Sequence, residues 1–453
     1  MKDLGGSRAK LTGRCAAALT TTALLGCALF RPLPLSAASP STPAAAVAAA
    51  PPAVEAPPVM LGIDVLEAEG FAALRGKRVA LLTHPAGVDR HGVSTIEILR
   101  RAPGVQLVAL FSPEHGLYGE AMAGANTKDY RDARTGLMVY SLHNGIDLTH
   151  RPNRGQLKGV DVFVVDLQDI GTRSYTFISA MKTAMEGCFL NKVEFVVLDR
   201  PNPLGGLKVS GPPLDASLIS YVGEFRVPYV HGLTMGELAR MAKDAPGVLA
   251  IPDAARAQGK LTIIPMRGWR RTMRWPETGL KWIPTSQFIP DFAAVEGYPM
   301  TGLANQVAGT FTTGVGTAYN FRGLSYHGVR AEALEKELQA LKLPGIDFHK
   351  VSAPSARTGQ PGTGLYVEIS DWDAWDPTEL NFYLMRLACK YAGRNSYAAV
   401  PKTDIFLKLL GSTTFFNDLV AHGAKIDIEA YLRDWRARAA VYQSESKKYW
   451  LYP

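Results

Sequence analysis

Four short segments of this 453-residue chain concentrate side chains able to move protons or grip a polar ligand. They are Thr83-His84-Pro85, Ser112-Pro113-Glu114-His115-Gly116, the run from Asp166 through Gln168 and Asp169 to Arg173, and Asp199-Arg200-Pro201-Asn202-Pro203. Glu114 and His115 stand between Pro113 and Gly116, which restrict the loop. Two adjacent titratable groups on such a loop suit proton transfer. Carboxylates dominate the set, with Glu114, Glu120, Asp166 and Asp169. Two carboxyls on opposite sides of a scissile bond are the usual equipment of a glycosidase. Tyr118, Tyr175, Gln168 and Asn202 suit a hydroxyl-rich sugar, and Arg173 and Arg200 suit a substrate carboxylate held bidentately. Each group also has a plainer reading: His84 as a loop histidine, Asp199-Arg200 as a local ion pair, Asp166 as the cap of a turn.

Other chemistries lack their signatures. The first segment continues as His84-Pro85-Ala86-Gly87, not as G-x-G-x-x-G, which disfavours a dinucleotide. There is no Walker A sequence and no G-x-S-x-G elbow. No H-E-x-x-H spacing occurs, and a set of His84, Glu114, His115 and Asp166 has no metal-ligand spacing, so neither metal nor cofactor is expected. Cys15 and Cys27 lie near the N-terminus. Cys188 and Cys389, far apart in sequence, are either buried thiols or a long-range disulfide.

The elements that must position these segments are short, apolar and β-branched. Residues 79–83, 105–111, 160–167 and 193–198 each precede one polar segment, and helical patterns at 95–101 and 175–189 lie between them. Continuous apolar strands alternating with helices imply a parallel sheet covered on both faces, a doubly wound α/β fold. In such sheets ligands bind beyond the carboxyl ends of the strands, where strand order reverses. All four segments would converge on one crevice.

Beyond 205 the pattern loosens, with an amphipathic helix at 235–243 and a Trp/Pro/Arg-rich irregular connection at 267–289. Helices are predicted at 331–341, 379–392 and 428–442 and a strand at 365–370, a smaller α+β domain. The expected organisation is residues 1–38, 39–60, 61–285 and 286–453. The first stretch joins a basic start, an apolar run from Cys15 to Phe30 and small residues at Ser36-Ala37-Ala38, and reads as a secretory signal. Leu24-Leu25-Gly26-Cys27 resembles a lipoprotein box, so lipid attachment at Cys27 is an alternative processing route. The second stretch is an Ala/Pro/Ser-rich tether. The protein is therefore expected to be exported, periplasmic or extracellular. Half of its formal charge of +8 sits in Lys2, Arg8, Lys10, Arg14 and Arg31, offset by Asp3. The remaining basic residues are scattered, which argues against nucleic acid.

The strings FSPEHGLYGEAMAG, TGLMVYSL, VDVFVVDLQDIGTRSYTFI, VVLDRPNPLGG, SGPPLD and VPYVHGLTMGELA run in order from about residue 60 to 290. They resemble the exo-β-N-acetylmuramidase family, the NamZ-like proteins. The resemblance implies a Rossmann-like domain that binds no nucleotide, a smaller C-terminal domain, and a cleft that holds sugar. It implies release of terminal N-acetylmuramic acid from the non-reducing end of peptidoglycan fragments. Carried over, Glu114 becomes the general acid, with a pKa expected to be raised by burial, and Asp169 or Asp166 the partner carboxylate. His84, His115, Glu120, Gln168, Arg173, Tyr175, Arg200, Asn202 and His231 become candidate sugar contacts. Many relatives carry G-T-N-x-S-x-G-R-G-T in the second domain, whereas here Gly309-Thr310-Phe311-Thr312-Thr313-Gly314-Val315-Gly316-Thr317 departs from it. That departure leaves a second reading open, a sugar- or peptidoglycan-binding protein without turnover.

Overall fold

A computed structural model describes residues 59–354, 361–401 and 404–453. The expected signal, Cys27 and nearly all of the tether lie outside the described residues. Helix α1 (Gly62–Ala68) leads into strand β1 (Arg78–Thr83), helix α2 (Thr95–Arg101) and strand β2 (Gln106–Ser112). Two short strands follow, β3 (Tyr130–Arg131) and β4 (Met138–Ser141), then β5 (Val162–Asp166), helix α3 (Phe177–Leu190) and β6 (Glu194–Leu198). A small ribbon of β7 (Ser210–Pro213) and β8 (Pro228–Val230) precedes helices α4 (Met235–Asp244) and α5 (Asp253–Gln258) and strand β9 (Leu261–Ile264).

The main sheet has seven strands in the order β3-β4-β2-β1-β5-β6-β9, all pairings parallel except β3 with β4. The alternation of a strand's side chains divides its apolar residues between two layers. Ala80, Leu82, Phe163 and Val165 enter one hydrophobic cluster, and Val79, Leu81, Val162 and Val164 enter another, beneath α1 and α2. Every residue of β5 is buried, which is why its sequence reads as an unbroken apolar run. Helix α3 is buried from Phe177 to Phe189 on all sides. It contains Lys182 and Glu186, which such a position tolerates only as partners: Lys182 Nζ lies 2.8 Å from Glu186 and 2.7 Å from Glu224.

The C-terminal part begins with α6 (Phe292–Thr301) and β10 (Gly323–Leu324), followed by α7 (Ala331–Ala340), β11 (Ile346–Pro354), β12 (Pro361–Ile369) and α8 (Glu379–Ala392). Helices α9 (Ile405–Leu410), α10 (Thr413–His422) and α11 (Ile428–Ser446) complete it. Its antiparallel sheet runs β10-β12-β11. The predicted strand at 365–370 is thus the second half of a longer one, extended by pairing with β11. The first hydrophobic cluster continues from the main sheet into this smaller domain, reaching Phe382, Phe415 and Trp435. Cys188 on α3 and Cys389 on α8 are both buried and unbonded, which settles the choice between thiols and a disulfide.

Among the described residues no helix is long and apolar enough to cross a membrane.

Candidate active site

The loop after β2 turns sharply. His115 has φ 75° and Gly116 φ 82°, two consecutive left-handed residues. A non-glycine residue in that region is strained, and such strain concentrates where a side chain must be aimed. The turn is closed by Gly116 N–H donating to Pro113 O (3.2 Å) and Ala121 N–H donating to His115 O (3.0 Å). Glycine suits position 116 because of its left-handed φ; a Cβ there would meet only the carboxylate end of the Glu120 side chain. Glu120 itself is exposed and accepts the Tyr118 N–H at 2.9 Å.

This loop presents Glu114 over the strand ends, half-buried. Thr176 Oγ1, just before α3, donates to Glu114 Oε2 at 2.7 Å, and Gly124 N–H donates to Oε1 at 2.7 Å. Burial alone would push the carboxyl up. The two donors, helped by the charges of His115 and His143, outweigh it and hold the pKa below the usual glutamate value. The expected burial-raised acid is therefore corrected: two donors aimed at its oxygens keep Glu114 a carboxylate. Around it stand Tyr221, stacked on His150 at 3.7 Å, and His143, whose pKa burial lowers. Tyr298, from α6 in the C-terminal part, is pushed up to about 12 by burial, with Glu114 and Asp169 both adding to the shift. Its hydroxyl lies 3.2 Å from Ser174 Oγ, which donates to Tyr229 at 2.9 Å.

Asp169 is 6 % exposed. One oxygen accepts Gly171 N–H at 2.7 Å and lies 3.5 Å from His231 Nε2, while the other has no protein partner. His231 Nδ1 accepts the Leu233 N–H at 3.2 Å, so its proton belongs on Nε2, facing Asp169. His84 is buried edge-on against Phe177, and its Nε2 accepts the Gln168 N–H at 2.9 Å. Burial, then the charges of Arg200 and His115, drive its pKa well down, leaving a neutral ring protonated on Nδ1.

The remaining expected residues hold the frame. Asp166 is fully buried; Arg200 meets its two oxygens at 2.5 and 2.9 Å, and Thr95 donates to it as well. With both oxygens occupied it is a positioning residue joining the ends of β5 and β6 to the start of α2, and no open carboxylate faces a ligand. Arg173 is fully buried, with its guanidinium donating to the carbonyls of Pro212, Val227, Leu409 and Leu410, so it is out of reach of a substrate carboxylate. Asn202 Oδ1 accepts the Leu204 N–H within its own turn, and its amide nitrogen donates to the distant Leu233 O. Tyr175 donates to Thr285 Oγ1 at 2.7 Å. Gln168 is 2 % exposed, and its amide nitrogen donates to Asp169 O and Pro201 O.

Sequence reasoning missed Thr176, Gly124, His143, Tyr221 and Tyr298. His143 was within reach: it follows β4, and reading TGLMVYSL as a strand would have placed it at a further strand end. Tyr221 and Tyr298 arrive from distant elements and leave no local pattern.

Comparison with known proteins identifies the family. Residues 79–293 match the N-terminal domain of exo-beta-N-acetylmuramidase NamZ, and residues 296–452 match its C-terminal domain. The chain is 33% identical over 407 residues, 87% of this chain and 92% of the relative, to the peptidoglycan beta-N-acetylmuramidase NamZ of Bacillus subtilis (strain 168). A crystal structure of a DUF1343 family protein from Bacteroides fragilis NCTC 9343 superposes with a TM-score of 0.77 at 37% identity, covering 89% of this chain and 100% of that one. A second DUF1343 protein from the same organism gives 0.62 at 25% identity, covering 87% and 99%.

Proposed function

The chain belongs to the exo-β-N-acetylmuramidase NamZ family and is a glycosidase of that type, and from this premise we propose that it releases terminal N-acetylmuramic acid from the non-reducing end of peptidoglycan fragments. The observation that carries the proposal is the Glu114 carboxylate, fixed by Thr176 and Gly124 N–H on a strained loop at the strand ends. Water adds to the anomeric carbon, the glycosidic C–O bond breaks, and the leaving oxygen takes a proton. An ionised Glu114 suits the positive side of that reaction. It stabilises oxocarbenium-like charge at the anomeric carbon or takes the proton of the attacking water. Asp169, with one oxygen free of protein partners beside His231, is the second carboxyl available to the reaction. Tyr298 lies near enough to both carboxyls for each to push its hydroxyl pKa up further.

The N-terminal signal-like segment and tether support export, with action outside the cytoplasm on cell-wall sugars. Cell fractionation tests this, with recovery in the cytoplasm as the contrary result.

The decisive assay offers residues 39–453 a chromogenic β-N-acetylmuramide and its β-N-acetylglucosaminide. Release from the muramide alone is expected, with Glu114→Gln lowering kcat by about a hundredfold to ten-thousandfold at similar KM. Glu114→Gln turning over like the wild type would remove Glu114 from the chemistry. Binding without any release from either sugar would favour the binding protein.

A further inference from the structure

Buried charge is costly, yet α3 carries two charged residues inside the core. Lys182 Nζ lies 2.8 Å from Glu186 and 2.7 Å from Glu224, while the other oxygen of Glu186 lies 2.6 Å from Arg151 Nη2. Glu186 Oε1 also accepts the Ala250 N–H at 2.6 Å, and Arg151 Nη2 donates to Ala250 O at 2.9 Å. Two cations and two carboxylates thus close on one another without net charge. Such a cluster is weak evidence for stability, because apolar side chains of similar size often serve a core as well. What it does is join three separate pieces of chain: α3, the segment ending at Arg151, and the turn ending at Glu224.

Both outer partners lead back to the surroundings of Glu114. Glu224 closes a turn in which Ser220 and Gly223 exchange N–H···O bonds of 3.3 and 2.7 Å, and this turn carries Tyr221. Arg151 follows His150, which is held in the left-handed region at φ 54° and donates from Nδ1 to Leu142 O at 2.6 Å. The next residue, Pro152, seats on α3 at Gly187, where a Cβ would lie 2.6 Å from Pro152 O. The two segments meet in the stack of His150 on Tyr221, and His143 completes the group, its ring centroid 5.6 Å from His150 and 5.7 Å from Tyr221. Strand pairing puts these rings beside the carboxylate. Ser112 of β2 is the register partner of Ser141 of β4, and Leu142 N–H donates to Ser112 O at 3.0 Å. Glu114 and His143 each stand two residues past that pair. Burial lowers the pKa of His143 and raises that of Tyr221, and in both the charge of Glu114 pushes upward.

We propose that Lys182 is a positioning residue for the reaction: through Glu224 and Glu186 it sets the wall of Tyr221, His150 and His143 beside Glu114, so that the sugar enters at one distance and angle to the carboxylate. The proposal deepens the function proposed above and rests on it. Helix α3 is the common reference. Thr176, at its start, donates to Glu114; Lys182 lies about 9 Å further along and Glu186 about 15 Å, at about 1.5 Å per residue. One buried helix therefore fixes both the carboxylate and the wall next to it. A displacement of about 1 Å is enough to spoil a productive geometry.

Glu224 is the partner to change first, since its side chain is 17 % exposed and Lys182 keeps Glu186 without it. Glu224→Leu is expected to lower kcat/KM for the β-N-acetylmuramide by about tenfold to a hundredfold, with kcat falling as well as KM rising. Glu224→Gln keeps an acceptor for Lys182 Nζ and should stay within about threefold of wild type. Lys182→Met combined with Glu224→Leu removes both charges, so its thermal midpoint should match or exceed that of Lys182→Met alone, while kcat/KM stays low. Activity that recovers together with the midpoint in the double variant, or Glu224→Leu turning over like wild type, overturns the positioning role alone. N-acetylmuramic acid, titrated into both proteins, should bind Glu224→Leu about fivefold or more weakly than wild type. Equal affinity overturns the role whether or not the wild type turns over. Failure of the wild type either to bind this sugar or to cleave the muramide overturns the proposed function and the positioning role together.

Discussion

Replacing Arg200 with methionine should destabilise the protein without touching its chemistry. The Arg200 guanidinium holds both oxygens of Asp166, at 2.5 and 2.9 Å, and donates to Val88 O at 2.6 Å. Asp166 is fully buried and Arg200 is 3 % exposed. Arg200→Met leaves a buried carboxylate with Thr95 as its remaining side-chain donor, and breaking a buried pair from one side costs about 3–5 kcal/mol. The compact unit Ala56–Pro453 unfolds with an entropy of roughly 0.8 kcal/mol per degree, from about 2.1 cal/mol/K per residue. The midpoint should therefore fall by roughly 4–6 °C. Replacing both partners, Asp166→Leu with Arg200→Met, removes the stranded charge and should recover most of that loss. Differential scanning calorimetry of the two single variants and the double variant reads the cycle. A shift under about 1 °C for Arg200→Met, or a double variant no better than the singles, would refute the positioning role. So would Asp166→Asn losing turnover at an unchanged midpoint, the behaviour of a catalytic carboxylate.

Other expectations follow from the titrating groups and the thiols. Because its donors hold Glu114 below the ordinary glutamate value, kcat/KM should persist as pH falls through that value and be lost only below it. Thr176→Val should move this acid limb to higher pH, and a limb that does not move would remove Thr176 from the control of Glu114. Asp199, fully buried, is raised to about 6 by burial, against the opposing donors Tyr452, Gly236 and Thr234. A raised carboxyl stabilises the fold in its protonated form, fully below the unfolded value near 4 and progressively less as pH rises through about 6. The thermal midpoint of Asp199→Asn should therefore fall less between pH 4 and 6 than that of the wild type. Reductant should leave the midpoint of residues 39–453 unchanged, since Cys188 and Cys389 are unbonded; a drop of several degrees would contradict this.

Much was legible from the sequence because it was written locally. The buried strands β1, β2, β5 and β6 must be continuously apolar, since both faces of a parallel sheet are covered, and polar residues directly after them must lie at its carboxyl edge. The turn at Glu114-His115-Gly116 was likewise visible as proline and glycine around two titratable groups. Burial, hydrogen-bond partners and distant neighbours are not local quantities. Asp166 and Asp169 look alike in sequence, three residues apart. Only the fold gives one to Arg200 and leaves the other an open oxygen beside His231. Arg173 looked like a ligand-binding arginine until carbonyls from two chain segments far beyond it took up its donors. The charge state of Glu114 was decided in the same way: burial argued for a raised pKa, but Thr176 and Gly124, distant in sequence, bring donors that outweigh it.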